Sequence, residues 1–73
     1  MIKIYGDAEC EFSQEVVSKC IELDMEYEYI ETLMDQESIN LFFINKFKTI
    51  PQIFMMGEHL GGYDEFMAYL PNN

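Results

Sequence analysis

The chain has no tryptophan, one histidine, two cysteines and only four lysines and arginines together in 73 residues. Two cysteines are too few for the disulfide framework that holds a small secreted domain together. The lone histidine, His59, stands far along the chain from Cys10 and Cys20, so no Cys/His set has the spacing of a zinc site and no metal is expected. Long apolar runs are missing too. Stretches such as Leu41–Ile44 and Ile53–Met56 are four residues long, against the ~20 a membrane helix needs. No basic, apolar leader precedes the first strand-like residues at Ile2, so nothing reads as a signal peptide, and the default expectation is a cytoplasmic protein.

The shortage of bases leaves a net charge of −10. Eleven of the fourteen acids fall between Asp7 and Glu37, where Lys19 is the only base. Such a surface repels nucleic-acid backbones and anionic lipid and favours basic partners. Much of the charge also serves solubility. What is present suits a globular chain: 49% apolar and 15% aromatic residues, enough for one domain over residues 1–73 and no more.

The order of elements follows from periodicity. Ile2-Lys3-Ile4-Tyr5 alternates and reads as a strand, ended by Gly6 and Asp7. From Phe12 to Leu23 the pattern is helical, with Val16, Val17, Cys20 and Ile21 on one face and Glu15 spaced to pair with Lys19. Met25 to Ile30 alternates again, with Tyr27 and Tyr29 on one side. A helix runs from Asp35, a good N-cap, to Lys46, carrying an aromatic stripe of Ile39, Phe42, Phe43 and Phe47. Pro51 precedes a third strand, Gln52–Met55. Gly57-Glu58 turns the chain into a short fourth strand around His59 and Leu60. After Gly61-Gly62 a last helix covers Tyr63 to Leu70, stopped by Pro71. Phe54, Met55 and Phe66 read as core, and His59 as an exposed turn residue. This βαβαββα order predicts an α/β fold: a four-stranded mixed sheet with helices on both faces.

Cys10 falls where the first strand has ended and the first helix begins. Free N–H groups and the helix dipole favour an anion there, and the thiolate is the form that attacks disulfides. Asp7, Glu9 and Glu11 oppose a further negative charge; the helix terminus is expected to prevail because carboxylates can turn to water. Cys20 lies about ten residues along the same helix, ~15 Å away. That is beyond the ~7 Å Cα separation a disulfide allows, and Cys20 reads as core.

Three segments together resemble the glutaredoxin family. Cys10-Glu11-Phe12-Ser13 resembles its Cys-x-x-Cys/Ser motif. Thr49-Ile50-Pro51-Gln52-Ile53-Phe54 is similar to its Thr-Val-Pro-Gln-Ile-Phe segment, and His59-Leu60-Gly61-Gly62-Tyr63-Asp64-Glu65 to its His-Ile-Gly-Gly-x-Asp-Asp segment. The resemblance spans essentially the whole chain, and its length is similar to the small glutaredoxins of bacteriophages. It implies a thioredoxin-like fold with three helices and a monomeric glutathione-dependent thiol–disulfide oxidoreductase. Cys10 would be the nucleophile and Ser13 its partner position. Glutathione, as co-substrate, would lie against Phe12, Lys48, Thr49, Ile50 and Pro51, with a cis Ile50–Pro51 bond. The N–H groups of Tyr63 and Asp64, after Gly62, would hold the γ-glutamyl carboxylate. Protein disulfides or glutathionylated proteins, ribonucleotide reductase among them, would be the partners.

Two departures qualify the resemblance. A lysine that family members often carry three residues before the nucleophile, where it helps bind the glycine carboxylate of glutathione, is Asp7 here; Lys48, with Lys46 behind it, is the nearest remaining cation. Ser13 replaces a resolving cysteine, which restricts the chemistry to a monothiol route; a native serine and an engineered replacement are both compatible with the sequence. Two other readings compete. A glutathione-ligated 2Fe–2S cluster, as in Cys-Gly-Phe-Ser glutaredoxins, is disfavoured by Glu11 in place of glycine and by the missing Trp-Pro segment. An acidic DNA mimic leaves the Thr-Ile-Pro and Gly-Gly-Tyr-Asp segments unexplained.

Overall fold

A computed structural model describes residues 1–70; the expected helix stop at Pro71 lies outside the described residues. The elements are β1 (Ile2–Gly6), α1 (Glu11–Glu22), β2 (Tyr27–Glu31), a 3₁₀ turn at Thr32–Met34, α2 (Gln36–Asn45), β3 (Gln52–Met55), β4 (Glu58–Gly61) and α3 (Tyr63–Tyr69). They form one four-stranded sheet in the order β2-β1-β3-β4. β1 and β2 are parallel, joined through α1, with Ile4 opposite Tyr29. β3 runs antiparallel to β1, with Ile4 opposite Ile53, and β4 returns antiparallel to β3 with a register shift at Ile53/Phe54. This is the expected mixed sheet.

Strand alternation sorts the side chains onto two faces. Ile2, Ile4 and Ile53 point one way, into a core completed by Val16 and Cys20 of α1 and by Phe66 and Leu70. Each fully buried aliphatic or aromatic side chain of this kind contributes ~1.5–3 kcal/mol. Tyr5 and Phe54 point the other way, where Phe42 and Phe47 at the end of α2 meet them edge to face, with centroids 5.6 to 6.3 Å apart for Tyr5–Phe54, Tyr5–Phe42 and Phe47–Phe54. Helices therefore cover both faces.

α2 begins as expected: the Asp35 carboxylate accepts from the Ser38 N–H at 3.1 Å. It ends on Lys46, whose φ of 58° lies in the left-handed region. The N–H of Phe47 then donates to the Phe42 carbonyl at 2.9 Å and that of Lys46 to Phe43 at 3.2 Å, a Schellman closure. Its hydrophobic clasp is the Phe42–Phe47 contact, 5.3 Å between centroids. This closure launches the chain across the sheet edge toward Pro51.

Three expectations are corrected. Phe43 is 83% exposed and Ile39 39%, because the ten-residue helix touches the sheet mainly through Phe42 and the residue beyond its end, and Phe43 lies a further 100° round. Ile21 is 64% exposed, since Val16 and Cys20 already fill the face toward the sheet. Glu15 does not pair with Lys19: it accepts from the Tyr63 hydroxyl at 2.6 Å, a charge-assisted bond, while Lys19 turns to Glu22 at 3.4 Å.

The packing sets a ranking. Phe66→Ala should lower unfolding free energy by about 3–5 kcal/mol and Ile4→Val by about 1 kcal/mol, whereas Phe43→Ala should change it by less than about 0.5 kcal/mol. Urea midpoints measure all three.

Candidate functional site

Cys10 is the N-cap residue of α1, in extended geometry, with Glu11 first in the helix. Its carbonyl accepts the first helical bond, from Gln14 N–H at 3.1 Å, and its own N–H donates to the Asp7 carbonyl at 2.9 Å. The thiol is half-buried and free. It donates to the carbonyl oxygen of Ile50, 3.7 Å away and forty residues along the chain. The Ile50–Pro51 peptide bond is cis.

The loop that carries the thiol is tied at every residue. Asp7 Oδ1 accepts from the Glu9 N–H at 2.9 Å, an Asx turn, so Asp7 organises the loop where the family pattern has lysine. Glu31 at the end of β2 accepts from the Ala8 N–H at 2.9 Å and from the Tyr29 hydroxyl at 2.8 Å. Gln14 donates its side-chain amide to the Ala8 carbonyl. Ser13 is buried, and its hydroxyl accepts from the Asp7 N–H at 3.2 Å. A Cβ on Gly6 would meet Ser13 Oγ at 2.7 Å and Tyr29 Cε1 at 3.0 Å. β1 and α1 therefore approach this closely only because residue 6 has no side chain.

Beside the thiol lies a cleft of about 820 Å³. Phe12 of α1 forms one wall and the α2–β3 connection, residues 46–52, another. His59, Gly61 and residues 62–65 complete it. Phe12, Lys48, Thr49, Ile50, Pro51, Gly62, Tyr63 and Asp64 are thus brought together around one space. Cys10 is not itself a lining residue; its thiol adjoins the cleft by its contact with the carbonyl of Ile50, which is. Ser13 does not line it; it sits beneath the loop.

The walls are held by polar and aromatic ties. Phe12 packs on Tyr63, 4.7 Å between centroids, and the Tyr63–Glu15 bond fastens α3 to α1. Glu65 Oε1 accepts from the Gly62 N–H at 2.7 Å, so a carboxylate of the chain itself stands at the entry to α3. Gly61, with φ of +136°, allows that closure: a Cβ there would meet Glu65 Cγ at 2.5 Å. The charge in the cleft is split, with Lys46 and Lys48 on the loop side and Asp64 and Glu65 on the α3 side.

Six lining residues lie outside the glutathione positions that the resemblance implies: Lys46, Phe47, Gln52, His59, Gly61 and Glu65. The sequence places Phe47 in the aromatic stripe of the second helix, Gln52 in a strand, Glu65 in the last helix and His59 as an exposed turn residue. His59 is exposed as expected, but it lies in β4 and not in the turn, and its Nε2 lies 2.7 Å from Gln52 Oε1. A glutamate at the third helical position can bond back to the N-cap amide, the half of a capping box that needs no N-cap side chain, and Glu65 does so to Gly62. The His59 contact depends on strand register, which one sequence does not carry.

Burial pushes the Cys20 thiol up, in keeping with a core role. The Tyr29 phenol is pushed well above its ordinary range, by burial first, then by its bond to Glu31, then by the charges of Glu31 and Asp7 and by Cys10. The Tyr63 phenol is raised by its bond to Glu15, then by desolvation and nearby carboxylates. Among the described residues, no group of three or more His, Cys, Asp and Glu is arranged to hold a metal, and no helix is long and apolar enough to cross a membrane.

The glutaredoxin family model matches residues 2–60. Among solved structures, the chain is similar to a buckwheat glutaredoxin–glutathione complex at 22% identity and TM-score 0.79, covering 92% of this chain and 64% of that one. It is similar to wheat glutaredoxin at 22% identity and TM-score 0.78, covering 92% and 67%. It is also similar to the solution structure of glutaredoxin from Brucella melitensis at 24% identity and TM-score 0.74, covering 92% and 74%. The chain spans less than two thirds of the buckwheat protein. At these identities the likeness establishes the thioredoxin-like fold. Among curated proteins no sequence matches.

Two substitutions test the loop. Gly6→Ala should destabilise by about 1–3 kcal/mol, because Ser13 must shift, and should expose the Asp7 amide to faster hydrogen exchange. Tyr29→Phe should cost about 1 kcal/mol at pH 7 through the lost bond to Glu31. A phenol raised on folding contributes stability that is fully present below its unfolded value of ~10 and is lost as pH rises beyond it. The urea midpoint of the wild type should therefore fall more steeply above pH ~10 than that of Tyr29→Phe.

Proposed function

The chain belongs to the glutaredoxin family, thiol–disulfide oxidoreductases, and we propose that it uses glutathione as co-substrate with Cys10 as the nucleophile. The observation that carries this reading is the Cys10 sulfur within 3.7 Å of the carbonyl of Ile50, a residue that lines a cleft together with Phe12, Lys48, Thr49, Pro51, Gly62, Tyr63 and Asp64. A structural neighbour, buckwheat glutaredoxin, is a complex with glutathione, which supports the same ligand.

The chemistry is a pair of exchanges. The Cys10 thiolate attacks the glutathionyl sulfur of a glutathionylated protein. The old S–S bond breaks, the substrate leaves as a thiolate and takes a proton from water, and Cys10 holds glutathione in a mixed disulfide. A free glutathione thiolate then attacks the glutathionyl sulfur, forming oxidised glutathione and returning Cys10 as thiolate. With Ser13 in place of a resolving cysteine, no internal disulfide competes, so the protein works as a monothiol enzyme. Lys48 is assigned to the glycine carboxylate, the backbone at Thr49 and Ile50 to the cysteine moiety, and Gly62, Tyr63 and Asp64 to the γ-glutamyl end, with Phe12 flanking the sulfur. The regenerating step needs a pool of reduced glutathione, which accords with a cytoplasmic monomer acting on protein mixed disulfides; a ribonucleotide reductase is a candidate partner.

Mass spectrometry after treatment with oxidised glutathione should show one glutathionyl adduct, on Cys10, and none on Cys20. Cys10→Ser should abolish both adduct and turnover. Lys48→Ala should raise KM for a glutathionylated peptide about fivefold, the effect of one exposed charge pair. An adduct confined to Cys20, or none, would contradict the proposal.

A further inference from the structure

We propose that His59 is a positioning residue that holds the Thr49–Ile50–Pro51 loop in register with Cys10, through Gln52. The inference rests on the reading above, in which that loop receives the thiol substrate.

Gln52 is only 6% exposed, so each polar atom of its amide needs a partner. Its Nε2 donates to the Thr49 carbonyl at 3.0 Å and to the Thr49 hydroxyl at 3.1 Å. That leaves Oε1 to be satisfied, and His59 Nε2 lies 2.7 Å from it. The roles follow from chemistry. Turning the amide over would face its oxygen toward the Thr49 carbonyl, acceptor against acceptor, so Nε2 of Gln52 belongs on Thr49 and His59 must donate. The imidazole is held for this from two sides. Phe47 stacks on it, 4.5 Å between centroids at 29°, and Phe54 packs against it at 5.0 Å. The relay therefore joins β4 to β3 and ends on the residue before Ile50, whose carbonyl accepts from the Cys10 thiol. His59 lies on the cleft wall, and its Nε2 is committed to Gln52.

Without the imidazole donor, Oε1 of the buried Gln52 amide loses its one side-chain partner, on the side where His59 itself is exposed to solvent. The amide must then reorient and release Thr49. Binding of the substrate's backbone-recognised portion should weaken, while the intrinsic reactivity of the Cys10 thiol should not change.

Two variants separate the donor from the ring. His59→Phe keeps the stack on Phe47 and removes the donor; His59→Gln keeps an amide donor and removes the ring. With a glutathionylated peptide and reduced glutathione, His59→Phe should raise KM about tenfold, the consequence of one lost side-chain donor to Gln52, with kcat within about twofold. His59→Gln should recover most of the loss, and the iodoacetamide rate at Cys10 should match wild type in both. Amide hydrogen exchange at Thr49 and Ile50 should rise at least about tenfold in His59→Phe, reporting a freed loop. Wild-type exchange at those two amides, or a wild-type KM in an active His59→Phe protein, overturns the relay. If the wild type takes no glutathione but loop exchange still responds to His59→Phe and is rescued by His59→Gln, the relay stands and the glutathione reading falls.

Discussion

The meeting of one sulfur and one carbonyl, Cys10 and Ile50, is the constraint on which the rest of this small structure turns. The two residues are forty apart in sequence and come within 3.7 Å. Each end of that contact is built from backbone geometry. On one side, Gly6 lets β1 run close over Ser13, and the Asx turn at Asp7 delivers Cys10 to the N-cap of α1. On the other, the left-handed closure at Lys46 sends the chain from the aromatic face of the sheet toward β3. β1 and β3 are paired neighbours, Ile4 opposite Ile53, so both arrivals fall at the same end of the sheet. The Cys10 thiol is half-buried at the start of α1, unlike Cys20, fully buried further along the same helix.

Most of the fold could be read from the chain. Ile2-Lys3-Ile4-Tyr5 and Gln52-Ile53-Phe54-Met55 alternate as half-buried strands must, and Asp35 caps α2 through Ser38. The site was legible where it rests on residue types with few alternative uses: a cysteine between strand and helix, a Thr-Ile-Pro-Gln segment, a Gly-Gly pair before a helix. What could not be read depends on three-dimensional register. Nothing local says that Glu15 reaches Tyr63 rather than Lys19, since that requires knowing that α3 lies against α1. The helical stripe on α2 overstated burial because periodicity reports a face without saying how far along it the sheet extends; Phe42 meets Tyr5 while Phe43 meets water. The 3₁₀ turn at Thr32–Met34 was hidden for a related reason: three residues are too few to show a period.

The acidic charge of the chain is not spread evenly around the cleft. Several carboxylates near the thiol are already engaged. Asp7 is turned onto the Glu9 amide, Glu31 onto Ala8 and Tyr29, Glu15 onto Tyr63, and Glu65 onto Gly62. Asp7, Glu15 and Glu31 do not line the cleft, whereas Glu65, although bonded to Gly62, and Asp64 do. Lys46 and Lys48 meanwhile stand together on the opposite wall. Two cations of the four in the chain thus face two carboxylates across the cleft, and within a Debye length of ~8–10 Å this local balance differs from the net charge of the whole chain.

The central claim is that the cleft beside Cys10 is where glutathione lies once bonded to that sulfur. Two-dimensional amide NMR spectra of the protein before and after glutathionylation test it directly. The account predicts that the largest shift changes fall on residues 49–52 and 62–64, across the cleft from the sulfur. Changes restricted to residues 7–14, with the β3 entry and the start of α3 unmoved, would contradict it.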